Sequence, residues 1–306
     1  MDRLWSRFPA EAEIMDYQIA IASYGRQDTI HRATLRTLQL LSVDPELITI
    51  FVPNDEHLRE YKRVLGNKYR VVVSAPGLVQ SQLFFHAWYS EKYGRGTRLI
   101  RMDDDIWGLR LLSTQGNTRK KLELYDGEFD SIANTGFGLS ESVGARLWGG
   151  TIEARPKYLS QTATIGNVLI VGGLQGCYSS DPMFLSDSRP NQESQEEDAE
   201  TSIQSFLTYG ANVRLEYLSL WTKLATTGGM SADMVDRLGA KDANEAIRAR
   251  ETVHLAAFSS LAQRYPGIVA LGVDPDRGTM ELNYSDSNNV EIPRGVVETQ
   301  FGNWKG

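Results

Sequence analysis

The chain has 306 residues, of which 41% are hydrophobic, enough for a real core in one large α/β domain or two small ones. Its formal charge of −7 argues against a surface that binds polyanions everywhere, and its single cysteine excludes an internal disulfide and a thiolate metal cluster. No stretch reaches the roughly 20 apolar residues of a membrane span and no signal-peptide core is seen, so we expect a cytoplasmic protein with no membrane partner.

Strand and helix signals alternate over the first hundred residues, which is the pattern of a parallel sheet covered by helices. Apolar and β-branched runs predict four strands, at residues 17–23, 47–52, 69–74 and 97–102. Amphipathic segments between them predict three helices, at residues 29–41, 56–65 and 78–93. Ligands of such sheets bind beyond the carboxyl ends of the strands, so the segments that follow the strands are the candidate site.

The second half of the chain is less regular. It predicts a short strand at 167–171, a helix at about 199–209, a strand at 213–221 and a long helix at 242–263. We find no internal repeat and no low-complexity linker, which favours one domain. We expect an N-terminal extension at 1–16, the α/β domain at 17–225, and a C-terminal loop and helical extension at 226–306 packed on the same domain.

A short polar turn follows the first strand, with the sequence Ser23-Tyr24-Gly25-Arg26. The small residues let a backbone approach a ligand, Tyr24 can stack on a base, and Arg26 can contact a phosphate. Ordinary turns between a strand and a helix also carry glycine and serine. After the second strand, Asn54 and Asp55 offer further polar groups, which serve either a ligand or, through Asp55, the cap of the next helix.

Three consecutive aspartates, Asp103, Asp104 and Asp105, follow the fourth strand. Two like charges about 4 Å apart repel by about 4 kcal/mol near a protein surface, so this segment must be solvated, partly protonated or bound to a cation. If the segment is extended, Asp103 and Asp105 share a face and Asp104 points away. Carboxylate oxygens at that spacing suit Mg²⁺ or Mn²⁺ held jointly with a diphosphate, and the alternative is a solvated acidic turn.

Other residues later in the chain are candidates for contact with a ligand. Trp107 and Trp148 could stack on a flipped base or pack in the core, and residues 172–176 could admit a ligand or form a tight turn. A basic run also follows the aspartates, formed by Arg119, Lys120 and Lys121. Such a run contacts either nucleic-acid phosphates or only solvent.

Two acidic residues, Glu197 and Asp198, precede the helix predicted at 199–209. A positioned carboxylate can take the proton of an alcohol as that alcohol attacks an electrophile. The same residues are also typical of a helix start, with Asp198 as the N-cap and Glu197 and Glu200 complementing the helix dipole. The residues alone leave both interpretations open.

Together these segments resemble the GT-A glycosyltransferases, in which a series of strands and helices ends in an Asp-x-Asp motif and a Glu-Asp motif follows about a hundred residues later. More narrowly, the chain resembles the TET/JBP-associated glycosyltransferases, which are encoded largely by phages and have the base J glucosyltransferase of kinetoplastids as a relative. The shared motifs are the Ser-Tyr-Gly-Arg turn, Asp-Asp-Asp-Ile at 103–106, Trp-Gly at 148–149, Glu-Asp-x-Glu at 197–200 and Gly-Gly at 228–229.

This resemblance implies an α/β fold of GT-A type, a Rossmann-like mixed sheet flanked by helices. It implies a metal-dependent, inverting glycosyltransferase that moves a sugar from a UDP-sugar to a 5-hydroxymethylpyrimidine of DNA, with Mn²⁺ or Mg²⁺ as cofactor, in the cytoplasm of a bacterial host. Asp198 would then be the general base, and Asp103 and Asp105 the metal ligands. The implied donor contacts are Ser23, Tyr24, Gly25, Arg26, Asn54, Asp103 and Asp104. The implied contacts to acceptor or DNA are Trp107, Arg119, Lys120, Lys121, Trp148 and Glu197.

Two alternatives stay open at this point. The acceptor of the same chemistry could be a saccharide or a protein, or the chain could be a non-catalytic module that binds nucleotides or nucleic acid. Many GT-A enzymes also add a histidine ligand after the Glu-Asp helix. Here only His254 follows it, in an apparently amphipathic helix where histidine is more often packed or at the surface. Without it, metal binding would rest on Asp105, the diphosphate and water.

Overall fold

A computed structural model describes residues 16–113, 121–124, 129–152, 155–181, 197–222, 255–273, 280–285 and 287–291 of the chain. In these residues eleven strands form one mixed sheet, and helices pack on both of its faces. A separate pair of strands lies near the C-terminus. The fold class expected from the sequence is confirmed, since the protein is an α/β structure with a mixed sheet flanked by helices.

The first part of the chain alternates strands and helices. Its strands are β1 (Gln18–Ala22), β2 (Ile48–Val52), β3 (Arg70–Val73), β4 (Arg98–Met102), β5 (Ile106–Ser113) and β6 (Lys121–Leu124). Its helices are α1 (Gln27–Arg32), α2 (Thr34–Leu40), α3 (Asp55–Leu65) and α4 (Leu78–Tyr93), with a 3₁₀ turn at Pro45–Leu47. The elements predicted between residues 17 and 102 are confirmed, apart from the first helix, and β5 was not predicted.

The second part contains two long helices and seven strands in its described residues. The helices are α5 (Phe129–Val143) and α6 (Glu197–Tyr209), with a 3₁₀ turn at Pro156–Tyr158. The strands are β7 (Trp148–Thr151), β8 (Thr162–Gly166), β9 (Leu174–Tyr178), β10 (Asn212–Thr222), β11 (Val269–Val273), β12 (Met280–Tyr284) and β13 (Ser287–Glu291). Residues 255–264 are also helical, whereas the earlier part of the helix predicted at 242–263 and the domain boundary predicted at 225–226 lie outside the described residues.

The order of the strands places several strand ends at one edge of the sheet. The order is β13-β8-β10-β7-β9-β4-β1-β2-β3, with β5 and β6 branching from β10. Strands β1, β2, β3 and β4 are mutually parallel, and β9 is antiparallel to both β4 and β7. The carboxyl ends of β1, β2, β4 and β7 therefore lie at the same edge as the start of β9. We call this edge the carboxyl edge.

Both faces of the central strand β1 are buried. Ile19 and Ile21 pack in the larger core cluster with the side chains of α1 to α3, whereas Ala20 packs with Phe85 and Tyr89 of α4 on the other face. Burial of one large apolar side chain contributes about 2 kcal/mol, so a strand covered on both faces is firmly fixed. The turn that follows β1 is thus held in place by the core. None of the helices in the described ranges has the length and apolar character needed to cross a membrane.

The helix predicted at 29–41 is broken into α1 and α2. The break is at Ala33, whose backbone angles of φ −102° and ψ −91° are not helical. After the break, the hydroxyls of Thr34 and Thr37 bond to the backbone of residues 103 and 106. Threonine hydroxyls readily bond to backbone groups outside the helix ladder, and these distant partners are invisible to local periodicity.

The strand predicted at 167–171 is wrong, because these buried residues form no strand ladder. Side chains satisfy the backbone groups of this segment in place of a neighbouring strand. The Ser202 hydroxyl accepts from the N–H of Ile170 at 2.9 Å, and the Gln175 amide donates to the Ile170 carbonyl at 2.8 Å. The amide of Asn212 donates to the Val168 carbonyl at 3.2 Å. An apolar run predicts burial, but its hydrogen-bond partners are set by the tertiary structure.

Candidate active site

Charged residues from three separate parts of the chain meet at the carboxyl edge. The turn after β1 brings Arg26, the segment between β4 and β5 brings residues 103–105, and the first turn of α6 brings Asp198. The Gly172–Gly173 turn before β9 lies between the last two groups, because it touches both. The edge therefore collects the residues that the sequence marked as catalytic and metal-binding.

Residues 103–105, which we call the aspartate turn, bend between β4 and β5 and do not continue the strand. Thr34 fixes this bend, because its hydroxyl donates to the Asp103 carbonyl at 2.7 Å and accepts from the N–H of Ile106 at 3.0 Å. Thr37 adds a third bond, from its hydroxyl to the Ile106 carbonyl at 3.0 Å. The extended geometry expected for the segment is wrong, and simple alternation does not describe where its side chains go.

Asp104 is the most buried aspartate of the turn, with only 6% of its surface exposed. The Ser23 hydroxyl donates to its Oδ2 at 2.5 Å, and Nη1 of Arg26 donates to its Oδ1 at 2.9 Å. Burial raises the pKa of this carboxyl, while Arg26 and Ser23 lower it and Asp105 raises it further. Asp104 thus holds Arg26 in place and is itself held by Ser23, which is 5% exposed; donor contact by Ser23 and Asp104 stays a prediction.

A chain of hydroxyls supports this arrangement from behind. The single hydrogen of the Ser23 hydroxyl goes to Asp104, so the Tyr61 hydroxyl must be the donor in its 2.6 Å contact with Ser23. Tyr61 in turn accepts from the N–H of Arg26 at 3.0 Å. Burial is the main cause that raises the pKa of Tyr61 to about 12. Tyr61 lies on α3 and was missed by the sequence reasoning, because nothing near it marks it as part of the site.

Arg26 also reaches Asp105, at 3.3 Å between Nη1 and Oδ2. The Asp105 side chain is 18% exposed, against 7% for Asp104, so it is the more accessible of the two partners. One guanidinium therefore balances two carboxylates in the structure. A further cation near Asp105 would meet a carboxylate that is only partly neutralised by its 3.3 Å contact.

Asp198 is held by the chain segment before β9. Its Oδ2 accepts from the N–H of Gly172 at 2.6 Å, and its Oδ1 lies 3.4 Å from the amide of Gln175. A Cβ on residue 172 would stand 2.5 Å from Oδ1 of Asp198, so this close approach requires glycine. Asp198 is the second residue of α6, and both described bonds of its side chain join it to Gly172 and Gln175, which lie outside this helix. These contacts favour the interpretation of Asp198 as a positioned carboxylate at the carboxyl edge over its interpretation as a helix cap.

The Gly172–Gly173 turn connects Asp198 to the aspartate turn. The carbonyl of Gly173 accepts from the N–H of Asp103 at 3.2 Å, and a Cβ on Gly173 would lie 3.8 Å from Oδ2 of Asp103. Asp103 and Asp198 thus each contact one of two adjacent glycines, and a side chain at either glycine would collide with its neighbours.

The charges of the site disfavour one another. Loss of water around its carboxyl raises the pKa of Asp103 to about 7, together with the negative charges of the nearby aspartates, which are Asp105, Asp198 and Asp104. The positive charge of Arg101 lowers this pKa. Because Asp103 is exposed to solvent, the charges of the three other aspartates contribute more to this higher pKa than burial does. Asp103 is therefore the carboxyl at which a proton or a cation would relieve the most repulsion.

Glu197 and Arg101 are buried beside the aspartates. Burial, and then the charge of Asp198, raise the pKa of Glu197 well above its usual value, while Arg101 lowers it and Asp103 raises it. Glu197 is 7% exposed and Arg101 5%. A contact between Glu197 and the acceptor is therefore not supported, since this side chain faces protein. Arg101 on β4 was not singled out, although an arginine inside an apolar strand was a usable signal.

The other residues of the first two turns lie at the surface. Tyr24 is 52% exposed, and its ring stacks on that of His57 at 5.0 Å between centroids. Gly25 has a φ of +61°, which favours glycine. Asn54, and not Asp55, caps α3, because its side-chain oxygen accepts from the N–H of His57 at 3.0 Å. If Asn54 contacts the sugar donor, it would do so through its side-chain NH₂ group, because the helix cap occupies its side-chain oxygen.

Trp148 does not line the site, which corrects that prediction. Its side chain is fully buried, and its ring meets Phe137 at 5.3 Å between centroids. A Cβ on Gly136 would stand 2.2 Å from the indole, so the ring fills a space cleared by glycine. The core alternative for Trp148 is confirmed. Trp107 is half-buried on β5, directly after the aspartate turn, and stays a candidate.

Several predicted residues cannot be placed. Arg119, Lys120, His254 and the Gly-Gly pair at 228–229 lie outside the described residues, and Lys121 is described only as backbone, at the start of β6. The roles predicted for them stay predictions. The fourth residue of the Glu-Asp-x-Glu motif is placed: Glu200 is bonded to Arg264 at 2.6 Å and to the Tyr265 hydroxyl at 3.0 Å, so it ties α6 to the later helix.

The residues of the site fit a divalent cation delivered with its substrate. Asp103 and Asp105 offer hard oxygen donors, and their mutual repulsion is part of what raises the pKa of Asp103. Within the described residues, no three side chains of ligating type converge on one point. One or two carboxylates are the usual protein contribution to a Mg²⁺ site completed by phosphates and water. The donor set thus suits an ion shared with a diphosphate.

No protein-family model matches the sequence, and no curated protein matches it as a relative. Among solved structures, the fold is similar to a mannosyltransferase of Pyrobaculum calidifontis in complex with GDP-Man and Mn²⁺, with 10% identity, a TM-score of 0.44, and 85% of this chain and 80% of that chain covered. It is also similar to a protein of Desulfovibrio desulfuricans G20 assigned as a nucleotide-diphospho-sugar transferase, with 10% identity, a TM-score of 0.42 and 79% and 98% covered. These likenesses concern the arrangement of the chain, and the case for a function rests on the site.

The raised pKa of Asp103 predicts how pH affects stability. Because the folded carboxyl holds its proton up to about pH 7 and the unfolded one loses it near pH 4, stability should fall as pH rises between these values. Asp103→Asn should weaken this dependence and raise the melting temperature at pH 8, measured in EDTA. Asp16→Asn, at an exposed aspartate before β1, is the control. An unchanged pH dependence in Asp103→Asn would show that its carboxyl is not under this repulsion.

Proposed function

We propose that the protein is a glycosyltransferase that moves a sugar from a nucleotide diphosphate donor to an alcohol acceptor. One observation carries this proposal: the aspartate turn and Asp198 contact adjacent residues of the Gly172–Gly173 turn, so one carboxylate group can serve the leaving diphosphate and the other the attacking alcohol. Such a transfer needs charge balanced at the leaving group and a base near the nucleophile. The arrangement offers both within one open edge of the sheet.

The first turn would receive the nucleotide. Tyr24 offers an exposed ring on which a base can stack, and His57 stacks on this ring and supports it. Gly25 leaves its surroundings open, since a Cβ there would meet nothing within 4 Å. Arg26 stands beside both, with its charge shared between Asp104 and Asp105. By resemblance the donor is a UDP-sugar.

Asp103 and Asp105 would hold Mg²⁺ or Mn²⁺ together with the donor. Such an ion, when bound, neutralises negative charge on the diphosphate as it leaves. Asp104 would act one step behind: Ser23 holds its carboxylate, which in turn fixes the Arg26 guanidinium that also faces Asp105. Thr34 and Thr37 keep the turn bent so that its exposed carboxylates face the donor.

Asp198 would accept the proton of the acceptor hydroxyl. The N–H of Gly172 and the amide of Gln175 orient its carboxylate, and a base held in this way loses little freedom when it acts. A base across the sugar from the leaving group gives inversion at the anomeric carbon. Inversion is therefore part of the proposal.

The proposed acceptor is a 5-hydroxymethylpyrimidine in DNA. This step rests on the resemblance, supported by Trp107 next to the aspartate turn, where a half-buried indole could stack on an extruded base. A saccharide or protein acceptor would need the same base and the same donor site. A module that only binds nucleotides would not need a carboxylate oriented by Gly172.

One experiment tests activity and acceptor together. The protein is incubated with Mn²⁺, a panel of UDP-sugars, and DNA that carries 5-hydroxymethylcytosine or 5-hydroxymethyluracil, and the nucleosides are then analysed by mass spectrometry. A hexose added to a hydroxymethylpyrimidine supports the full proposal. UDP release that requires a saccharide or protein acceptor supports only the transferase. Donor binding without any turnover contradicts an enzyme and favours the binding module.

The metal assignment predicts a loss of donor binding. Asp105→Asn should weaken the binding of UDP-sugar in Mn²⁺ by about tenfold or more, because a neutral amide is a poorer ligand for a hard cation. Calorimetry in Mn²⁺ and in EDTA measures it, and the difference between the two conditions should shrink in the variant. An unchanged effect of Mn²⁺ on donor binding would remove Asp105 from the metal site.

The general-base assignment predicts a lower turnover rate with unchanged affinity for the donor. Asp198→Asn should lower turnover by about a hundredfold or more while donor affinity stays close to wild type, since general bases contribute at that scale. Glu200→Gln is the matched control in the same turn of α6, where the carboxylate bonds to Arg264. The control should melt at a lower temperature and keep its rate. If Asp198→Asn behaves like the control, its role is structural.

The DNA assignment predicts an effect of the basic run Arg119, Lys120 and Lys121. Replacing all three by alanine should weaken DNA binding and flatten its salt dependence, because fewer counterions are released from the polyanion. The rate on a free hydroxymethyl nucleoside should change far less, which serves as the internal control. An unchanged salt slope and an unchanged rate on DNA would mean that the run is ordinary solvated surface.

A further inference from the structure

A second concave surface lies on the helices that follow the first turn. It is a cavity of about 340 Å³ between α1, α2 and the connection from α3 to β3. Pockets of roughly 300 to 1,000 Å³ are typical of small-molecule sites in proteins, so this volume holds one sugar phosphate or one nucleotide unit. The proposed transfer reaction makes no use of this cavity.

The lining of the cavity is basic. His31, Arg32 and Arg36 approach it from α1 and α2, and Lys68 approaches it from the opposite wall. None of the residues that line it is an aspartate or a glutamate. The protein as a whole carries a formal charge of −7, so four basic side chains without an acidic neighbour in the lining are a local departure from its composition. Such a surface attracts anions.

The wall of the cavity is partly apolar. Leu35 and Leu65 are buried, at 1% and 8% exposure, and they line it together with the half-buried ring of Tyr69. The Nζ of Lys68 lies 5.3 Å from the centre of the Tyr69 ring. A flat ring beside a cationic group suits a ligand with both an aromatic or sugar ring and an anionic group.

The cavity lies on the side of α2 that faces away from the aspartate turn. Thr34 and Thr37 bond to the turn, whereas Leu35 and Arg36 line the cavity. Residues three apart share a helix face, and residues next to one another do not. Substitutions at Arg36 therefore leave the hydrogen bonds of the site in place, and the two regions can be tested separately.

We propose that this cavity binds a nucleotide unit, with its phosphate against Arg32, Arg36 and Lys68 and its ring against Tyr69 and Leu65. Arginine and lysine are the usual partners of phosphate, and arginine can bind two of its oxygens at once. A free nucleotide and one unit of a DNA strand share this chemistry. The cavity then either holds a small ligand or anchors a strand outside the carboxyl edge.

Binding is measured by calorimetry with three probes: inorganic phosphate, thymidine 5′-monophosphate and a short oligodeoxynucleotide. All titrations contain EDTA, which suppresses metal-dependent donor binding and so keeps the result independent of the proposed transferase. Arg36→Glu should weaken binding of the phosphate-bearing probes by about tenfold or more, the scale of a lost charged hydrogen bond plus repulsion. Arg59→Glu, at an exposed arginine of α3 that does not line the cavity, is the matched control and should bind as wild type does.

The source of the phosphate follows from which probe binds. Thymidine monophosphate that binds as tightly as the oligonucleotide indicates a free nucleotide, whereas binding of the oligonucleotide alone, with a steep salt dependence, indicates a strand. Lys68→Glu, on the opposite wall, repeats the test if Arg36→Glu melts at a lower temperature. Absence of binding by every probe, or equal affinities in Arg36→Glu, Lys68→Glu and Arg59→Glu, overturns the proposal.

Discussion

Repulsion among carboxylates is the constraint on which the rest of the site depends. Asp103, Asp105 and Asp198 are close enough for their charges to raise the pKa of Asp103, and the fold gains no stability from bringing them together. Hydrogen bonds elsewhere in the fold hold the carboxylates in these positions despite the repulsion. Thr34 fixes the bend of the aspartate turn, and the N–H of Gly172 fixes Asp198. A site that is costly when empty favours a ligand that brings the opposite charge.

The conspicuous motifs serve the site at different depths. In the turn after β1, Ser23 is buried and supports Asp104, whereas Tyr24 is exposed and free of the core. In the aspartate turn, Asp104 is the inner support and Asp105 the outer group. Neighbouring residues thus divide into one that positions and one that faces outward. A motif read as a unit assigns contact to all its members, although a closely packed edge has room for only some of them.

The sequence was sufficient where structure depends on local pattern. Alternating strands and helices predicted β1 to β4 and their shared edge, because hydrophobic periodicity reports burial directly. Prediction from the sequence failed where hydrogen-bond partners that are distant in the chain determine the local structure. The helix broke at Ala33 so that Thr34 could reach residue 103, and the apolar segment at 167–171 took its hydrogen bonds from side chains. Tyr61 and the supporting role of Gln175, a member of the run at 172–176, were missed for the same reason, since each supports a residue far away in the chain.

The charge of the site also bears on the order of events in the proposed reaction. An acceptor in DNA brings further negative charge, and with Asp103 and Asp105 unbalanced its phosphates would meet repulsion at the carboxyl edge. A cation that enters with the donor and binds at the aspartate turn removes this repulsion. In the proposed reaction Asp198 then stays oriented by the N–H of Gly172 and faces the acceptor. The proposed reaction therefore has the donor bind before the acceptor, with Asp198 as the group that would take the proton.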